Sequence, residues 1–246
     1  MTGKGIIIQA RVGSTRLKNK ILLPVDDQIT FLDILILNLK KNFKNIPIIL
    51  ATSIKEENDV LVTVAKKHQI KCFRGDENNV LKRFTDCASE FNLDTIIRVC
   101  SDNPFLSSNL LKELLQDYQN EDYLAFSVNG TPSILTHYGF FAEIVSTNAL
   151  NKILSKGNSH CQEHVTNCVY TNNEGLFNVK FNDLNIRSTN IRCTLDTQQD
   201  FENLKNIYFN WYKGNEDRSI DSLLNFLNKQ EDLKRLMELE IKNNSK

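Results

Sequence analysis

The chain has 246 residues, 41% of them hydrophobic and 24% charged, with thirty basic side chains balanced by thirty acidic ones. A net charge of zero excludes the broad basic footprint of a nucleic-acid-binding domain, and the ordinary apolar content excludes a disordered or fibrous chain. No run approaches eighteen uninterrupted apolar residues, which excludes a membrane-spanning helix.

The length suits one α/β domain covering 1–246. Near the N-terminus, Lys4 precedes too short an apolar run for a secretory signal, so a cytoplasmic location is expected. The six cysteines (72, 87, 100, 161, 168 and 193) contain no C-x-x-C pair and sit mostly in apolar segments, which reads as buried thiols.

In chain order, "GIIIQA" reads as a buried strand and "TFLDILILNLKKNF" as a helix apolar around most of its girth. "PIILAT" is a strand, "EENDVLVTVAKKH" a helix, "IKCFRG" a strand, "NVLKRFTDCASEF" a helix and "DTIIRVC" a strand. "SSNLLKELLQDYQ" is a helix opened by a Ser N-cap. Continuous apolar strands alternating with helices imply a doubly wound, mostly parallel, Rossmann-like sheet covered on both faces. After "DYLAFSVNG" the rhythm changes, and 131–145 reads as an appended hairpin or extended arm. Two helical pieces, the strands "NVKFN" and "IRCTLD", and C-terminal helices spanning about 197–243 complete the chain.

Ligands in such folds bind at the carboxyl edge of the sheet, and the first strand-to-helix turn there is 9–20. Gly13 permits close backbone approach, Ser14 and Thr15 add hydroxyl and amide donors, and Arg11, Arg16 and Lys20 can grip phosphate oxygens. The turn matches neither G-x-x-x-x-G-K-[ST] nor G-x-G-x-x-G, so the residues leave two readings, a phosphate cradle or a solvated basic loop. Asp102 and Asp196 each follow an apolar strand-like run. Together they could hold a hard cation such as Mg²⁺, although each could equally be a helix N-cap. His160-x-x-Glu163-His164, with Cys168 a further turn on, has the spacing of a transition-metal site. The alternative there is a polar cluster at a helix N-terminus.

"IIIQARVGSTRLKNKILLPV" resembles the pattern Q-A-R-x-G-S-T-R-L-P-G-K-x-L, with Lys18-Asn19 in place of Pro-Gly. This is the N-terminal signature of the cytidylyltransferase family that includes the CMP-Kdo and CMP-sialate synthetases. The nearest branch contains the spore-coat polysaccharide biosynthesis protein F. "ILATS", "FRGDENNVLKRF", "IIRVCSDNPFL", "EHVTN" and "IRCTLDTQQDF" are similar to the family's later motifs, in order, from about residue 5 to residue 208.

The resemblance implies a nucleotidyltransferase that moves CMP from CTP to an anionic acceptor with loss of pyrophosphate, in capsule, lipopolysaccharide or spore-coat biosynthesis. The acceptor would be a sugar acid or a phosphorylated small molecule. Gln9, Ala10, Arg11, Gly13, Ser14, Thr15, Arg16, Lys20 and Asp102 would contact the nucleotide. Thr52 and Ser53 would border the base, and Arg74, Gly75 and Asn79 would close over cytosine and ribose, with Asn79 replacing the usual aspartate. Asp102 and Asp196 would hold Mg²⁺, and Arg11 and Lys20 would join them in catalysis. His137, Tyr138, Glu143, Glu163, His164 and Arg192 would meet the acceptor, Arg192 reading equally as a structural ion-pair arginine, and Phe141 in place of an aspartate points to a less sugar-like molecule. The apolar "ILTHYGFFAEIV" arm would form a homodimer. A GT-A-type glycosyltransferase is a weaker reading, because the strand end reads Ser101-Asp102-Asn103 rather than D-x-D. An inactive nucleotide-binding module and a zinc peptidase are the remaining alternatives.

Overall fold

The computed structural model describes residues 3–27, 29–157, 159–171 and 174–244. Among them the strands are β1 (Lys4–Gln9), β2 (Pro24–Asp26), β3 (Ile29–Thr30), β4 (Ile48–Ser53), β5 (Lys71–Gly75), β6 (Thr95–Cys100), β7 (Tyr123–Val128), β8 (Thr131–Pro132), β9 (Glu143–Ser146) and β10 (Val179–Leu184). The main sheet runs β10-β7-β9-β6-β1-β4-β5, with β8 on the side of β7, while β2 and β3 form a separate two-stranded sheet. Every pairing in the main path is parallel except those of β9, which lies antiparallel to both β6 and β7.

The run Ile6-Ile7-Ile8 shows why both faces must be covered. Ile6 and Ile8 belong to one buried cluster and Ile7 to the other, as the two-residue period of a strand requires. Helices Phe31–Asn42, Asp59–Lys67, Ser108–Asp117 and the C-terminal helices pack on the first face. Helices Val80–Glu90 and Thr147–Ser155 pack on the second. Thr30 opens the first helix with a capping box, and Ser107 caps the helix after β6. No helix among the described residues is long and apolar enough to cross a membrane.

Four expectations change. The 131–145 segment is not an appended arm: after a short 3₁₀ turn it ends in β9, inserted into the middle of the sheet. Phe140, Phe141, Ala142, Ile144 and Val145 are all buried within the protomer, so they are not available to a second copy. This apolar run is as continuous as those of the other buried strands, and Glu143 interrupts it only because a buried partner awaits it. "IRCTLD" is buried but forms no ladder; its amides bond to loops beyond the strand ends, Cys193 to the His137 carbonyl and Leu195 to that of Asp102, both at 2.9 Å. The last helical stretch breaks into Ile220–Leu227 and Glu231–Asn243. Finally, Cys161 and Cys168, seven residues apart on successive short helices with Cα atoms 5.7 Å apart, are joined in a disulfide rather than left as thiols.

Candidate active site

The chain passes from β1 outward to β4 and β5, then returns to place β6 on the other side of β1. Loops following β1 and β6 therefore part from one another and open a crevice at the carboxyl edge. Register aligns the strand ends there: Gln9 pairs with Ala51 on one side and Cys100 on the other.

The loop after β1 is folded against the sheet by its backbone. Ala10 N–H donates to the Ala51 carbonyl at 3.1 Å, and Val12 N–H donates to Asn58 Oδ1 at 3.0 Å. Asn58 is fully buried and donates onward to Ser53 Oγ at 2.8 Å. Nothing along the chain signals Asn58, whose task is to hold the loop by an amide from 46 residues away. Ser14 and Asn19 both donate backbone N–H groups to the Val12 carbonyl, curling the loop on itself. Asn19 stands where the resembling pattern has glycine and adopts a left-handed φ of 55°. Asparagine reaches that region more readily than other side-chain-bearing residues, so the turn survives the substitution.

The curl delivers Lys20 to the two aspartates. Its Nζ lies 2.9 Å from Asp196 Oδ1 and 3.6 Å from Asp102 Oδ2, and Arg16 approaches the same Asp196 oxygen at 3.1 Å. The bond from Leu195 N–H to the Asp102 carbonyl ties the two acid-bearing segments together. Burial alone would lower the pKa of Lys20, but Asp102 and Asp196 outweigh it and hold the ammonium above its ordinary value. Burial likewise opposes ionisation of Asp196, yet Lys20, Arg16 and Arg192 keep its carboxyl below the usual range.

Behind Asp196 lies Arg192, which is fully buried. It donates to both Asp200 oxygens at 2.7 and 2.8 Å and to Asp196 Oδ2 at 3.1 Å, and it contacts His137 Nδ1. Asp200 also accepts the N–H groups of Asp196 and Thr197 at 2.9 and 3.0 Å. Arg192 thus braces Asp196 from within rather than reaching into the crevice. Its partner Asp200 went unrecognised in the sequence, where T-x-x-D announces only a capping box.

On the base side, Arg74 directs its donors at the carbonyls of Ser53, Ile54 and Lys55, at 3.2, 2.9 and 3.0 Å, and pairs with Asp59. It shapes the loop after β4 from beneath. A Cβ on Gly75 would come within 2.9 Å of both Arg83 Cγ and Phe73 Cε1, so glycine is required by packing. Asn79 caps the helix Val80–Glu90 through the Lys82 N–H at 2.8 Å. Thr52 is fully buried, and its Oγ1 has no hydrogen-bond partner among the described residues. Arg11, half exposed, faces Glu77 at 3.9 Å.

The residues expected at the acceptor separate. Glu143 is buried and committed to Arg98, the Tyr123 hydroxyl and Thr166 Oγ1. Tyr138 donates its hydroxyl to the Ser188 carbonyl at 3.1 Å. Glu163 and His164 are exposed, and the side chain of this segment that reaches Glu143 is that of Thr166. The transition-metal reading is corrected as well: Cys168 is spent in the disulfide and His160 faces Asn167. Among the described residues no group of three or more His, Cys, Asp or Glu is placed to hold a metal.

The cytidylyltransferase family profile matches residues 5–238. Spore coat polysaccharide biosynthesis protein SpsF of Bacillus subtilis (strain 168) is 34% identical over 240 residues, 92% of this chain and 94% of that protein. A cytidylyltransferase from Leptospira borgpetersenii serovar Hardjo-bovis superposes with a TM-score of 0.80 at 27% identity, over 95% of this chain and 97% of that one. CMP:2-keto-3-deoxy-manno-octonic acid synthetase complexed with CTP shares the fold at 14% identity, with a TM-score of 0.62 over 85% of this chain and 99% of that one. The family profile over residues 5–238 and the 34% identity to SpsF over 92% of the chain show that the chain belongs to the cytidylyltransferase family of CTP-dependent nucleotidyltransferases.

Proposed function

We propose that the protein transfers CMP from CTP to a small anionic acceptor in a Mg²⁺-dependent reaction that serves surface polysaccharide synthesis. The observation that carries this reading is the convergence of Lys20 from the first loop on Asp102 and Asp196 from two other segments. The polysaccharide assignment rests on the likeness to SpsF.

The donor set fits the metal. Mg²⁺ takes one or two carboxylates and fills its other positions with water and phosphate oxygens. Asp102 is partly exposed, Asp196 less so, and the Lys20 ammonium already stands between them as a cation. Asp102 and Asp196 would hold the ion, which supplies charge neutralisation and polarisation at the α-phosphate. Arg11 and Arg16 bind and orient the triphosphate, and Lys20 turns from carboxylate to phosphate oxygen. Arg192 keeps Asp196 ionised and aimed. An acceptor oxygen then attacks the α-phosphorus in line, the bond from α-phosphorus to the α,β-bridging oxygen breaks, and pyrophosphate departs with that electron pair. Because both reactants are anionic, positioning and charge compensation carry most of the catalysis. A homodimer, also expected from the resemblance, would need a surface other than the buried 140–145 run.

The test is pyrophosphate release with each of the four ribonucleoside triphosphates and Mg²⁺ against sugar acids and phosphorylated polyols. CTP should be preferred, and Asp102→Asn and Asp196→Asn should each lose on the order of a hundredfold or more in rate while remaining folded. Folded variants with wild-type turnover would sink the assignment.

A further inference from the structure

At the edge of the sheet opposite the crevice, where β4 and β5 begin, the surface holds a recess of about 510 Å³ that opens to solvent. That is the size of a site for a small molecule. Phe43, Ile46, Ile48 and Ile70 supply its apolar walls. Lys40, Lys44 and Lys71 are the charged residues that line it, and no acidic side chain does.

The imbalance of charge is local. The chain as a whole is neutral, yet no acidic residue occurs from 34 to 55 or from 60 to 75, the two stretches that build the recess. Lysines in the last turn of a helix answer the negative end of its dipole. That accounts for Lys40 and Lys41 at the end of Phe31–Asn42, and for Lys66 and Lys67 at the end of Asp59–Lys67. Lys44 and Lys71 lie outside both helices and are exposed, so the dipole does not account for them. Two of the three lining ammonium groups are steered: Lys40 Nζ donates to the His68 carbonyl, and Lys71 Nζ lies 5.9 Å from the centre of the Phe91 ring. Cations set around an apolar hollow, with no carboxylate in its walls, complement a molecule that is apolar and anionic at once.

We propose that the recess is a second binding site, for a soluble small molecule with an apolar body and one phosphate or carboxylate head. The body lies against Phe43, Ile46, Ile48 and Ile70, and the head meets Lys44 and Lys71. A bilayer suits the surface less well. Membrane docking takes apolar side chains that protrude, and none of the large apolar side chains exposed among the described residues lines the recess. The site is also distinct from the crevice: β4 and β5 start at the recess and run the height of the sheet before they end at Ser53 and Gly75.

Titration calorimetry and amide chemical-shift mapping on the full chain test this, with 2-naphthyl phosphate and 2-naphthoate as probes. The controls are 2-naphthol, which lacks the anion, inorganic phosphate, which lacks the body, and phosphatidylserine–phosphatidylcholine vesicles. At least one anionic probe should bind about tenfold or more tightly than 2-naphthol and than inorganic phosphate, and the tighter of the two identifies the head. Shifts should centre on the amides of 43–48 and 69–71, and they should persist with Mg²⁺ and α,β-methylene-CTP present. Lys44→Gln/Lys71→Gln should weaken the probe by about tenfold, the scale of two exposed ion pairs, and added salt should weaken it for wild type. Ile46→Asp, which sets an acid in the wall, should weaken it at least as much. All three positions are exposed or half-buried, so the variants should keep the wild-type circular dichroism spectrum. Binding of neither probe, shifts centred on 9–20, or inorganic phosphate binding as tightly as the probes would overturn the proposal. So would a folded lysine variant that binds like wild type, or vesicle binding that the same variant abolishes. None of these readouts requires turnover of CTP, so they stand or fall apart from the catalytic reading.

Discussion

Replacing Arg192 by methionine is the sharpest test of how the acids are held. Methionine fills much of the same volume but supplies no charge and no donors. Asp200, fully buried, would keep the backbone N–H groups of Asp196 and Thr197 but lose its one ion-pair partner among the described residues. Asp196 would lose one oxygen's partner while retaining Lys20 and Arg16. Removing one member of a buried pair costs about 3–5 kcal/mol, and the surviving backbone donors place this case near 3. For a chain of this size that is a fall in Tm of roughly 6–12 °C. Thermal melts of wild type, Arg192→Met, Asp200→Asn and the double variant make a cycle. Because each single variant strands a charge that the double variant removes, the double should be less destabilised than the sum of the singles. Arg192→Lys should recover little, since one ammonium cannot span the three carboxylate oxygens that the guanidinium meets. Strict additivity, or a single variant melting within about 2 °C of wild type, would refute the bracing role.

Three further outcomes are expected. Lys20→Met should act mainly on kcat, because its ammonium sits at the acids, whereas Arg16→Ala, half exposed, should act mainly on the KM for CTP and in a salt-dependent way; steady-state kinetics at two ionic strengths would show it. Burial opposes ionisation of Asp33, but His68, Thr30 and Lys67 hold its carboxyl well below the ordinary 3.8. A depressed folded pKa gives stability that is present above the unfolded value and lost as pH falls through the folded one, so Asp33→Asn should flatten the stability profile below about pH 4 in acid titrations followed by circular dichroism. Cys161 and Cys168 close a loop of seven residues, worth about 2 kcal/mol on the chain-entropy scale, so Cys161→Ser/Cys168→Ser should melt several degrees lower, and thiol titration should count two more groups after reduction.

The parallel core was legible because each buried strand is a short apolar run closed by a helix signal, and the period of two assigns its side chains to opposite faces. Asp102 was legible for the same reason, standing just past such a run. β9 was missed because an apolar run suits an interface as well as a buried strand, and nothing in its spacing shows that Glu143 is neutralised inside the sheet by Arg98, 45 residues earlier. The segment 191–196 deceived in the opposite sense. Its residues are as buried as any strand, but their amides find partners in two loops, and hydrophobicity reports burial rather than pairing. Arg192 with Asp200, and Asn58 with Val12, depend on the direction of side chains across turns, which spacing along the chain does not encode.

The pairing pattern also explains how so cationic a loop stays ordered before a polyphosphate arrives. Arg11 and Lys55 share Glu77, Arg16 and Lys20 share Asp196, and Lys20 also meets Asp102. Self-repulsion among the cations is thereby offset inside the site. On the function proposed above, triphosphate binding would be an exchange, carboxylate oxygens giving way to phosphate oxygens at the same cations, and the released aspartates would be free to take a divalent ion. Arg192 and Asp200, buried behind this exchange, are the pair that does not change partners. Their permanence would let Asp196 surrender Lys20 and Arg16 without losing its orientation. A fixed ion pair beneath an exchangeable one would, on that reading, allow a neutral protein to present a strongly charged crevice when a charged ligand fills it.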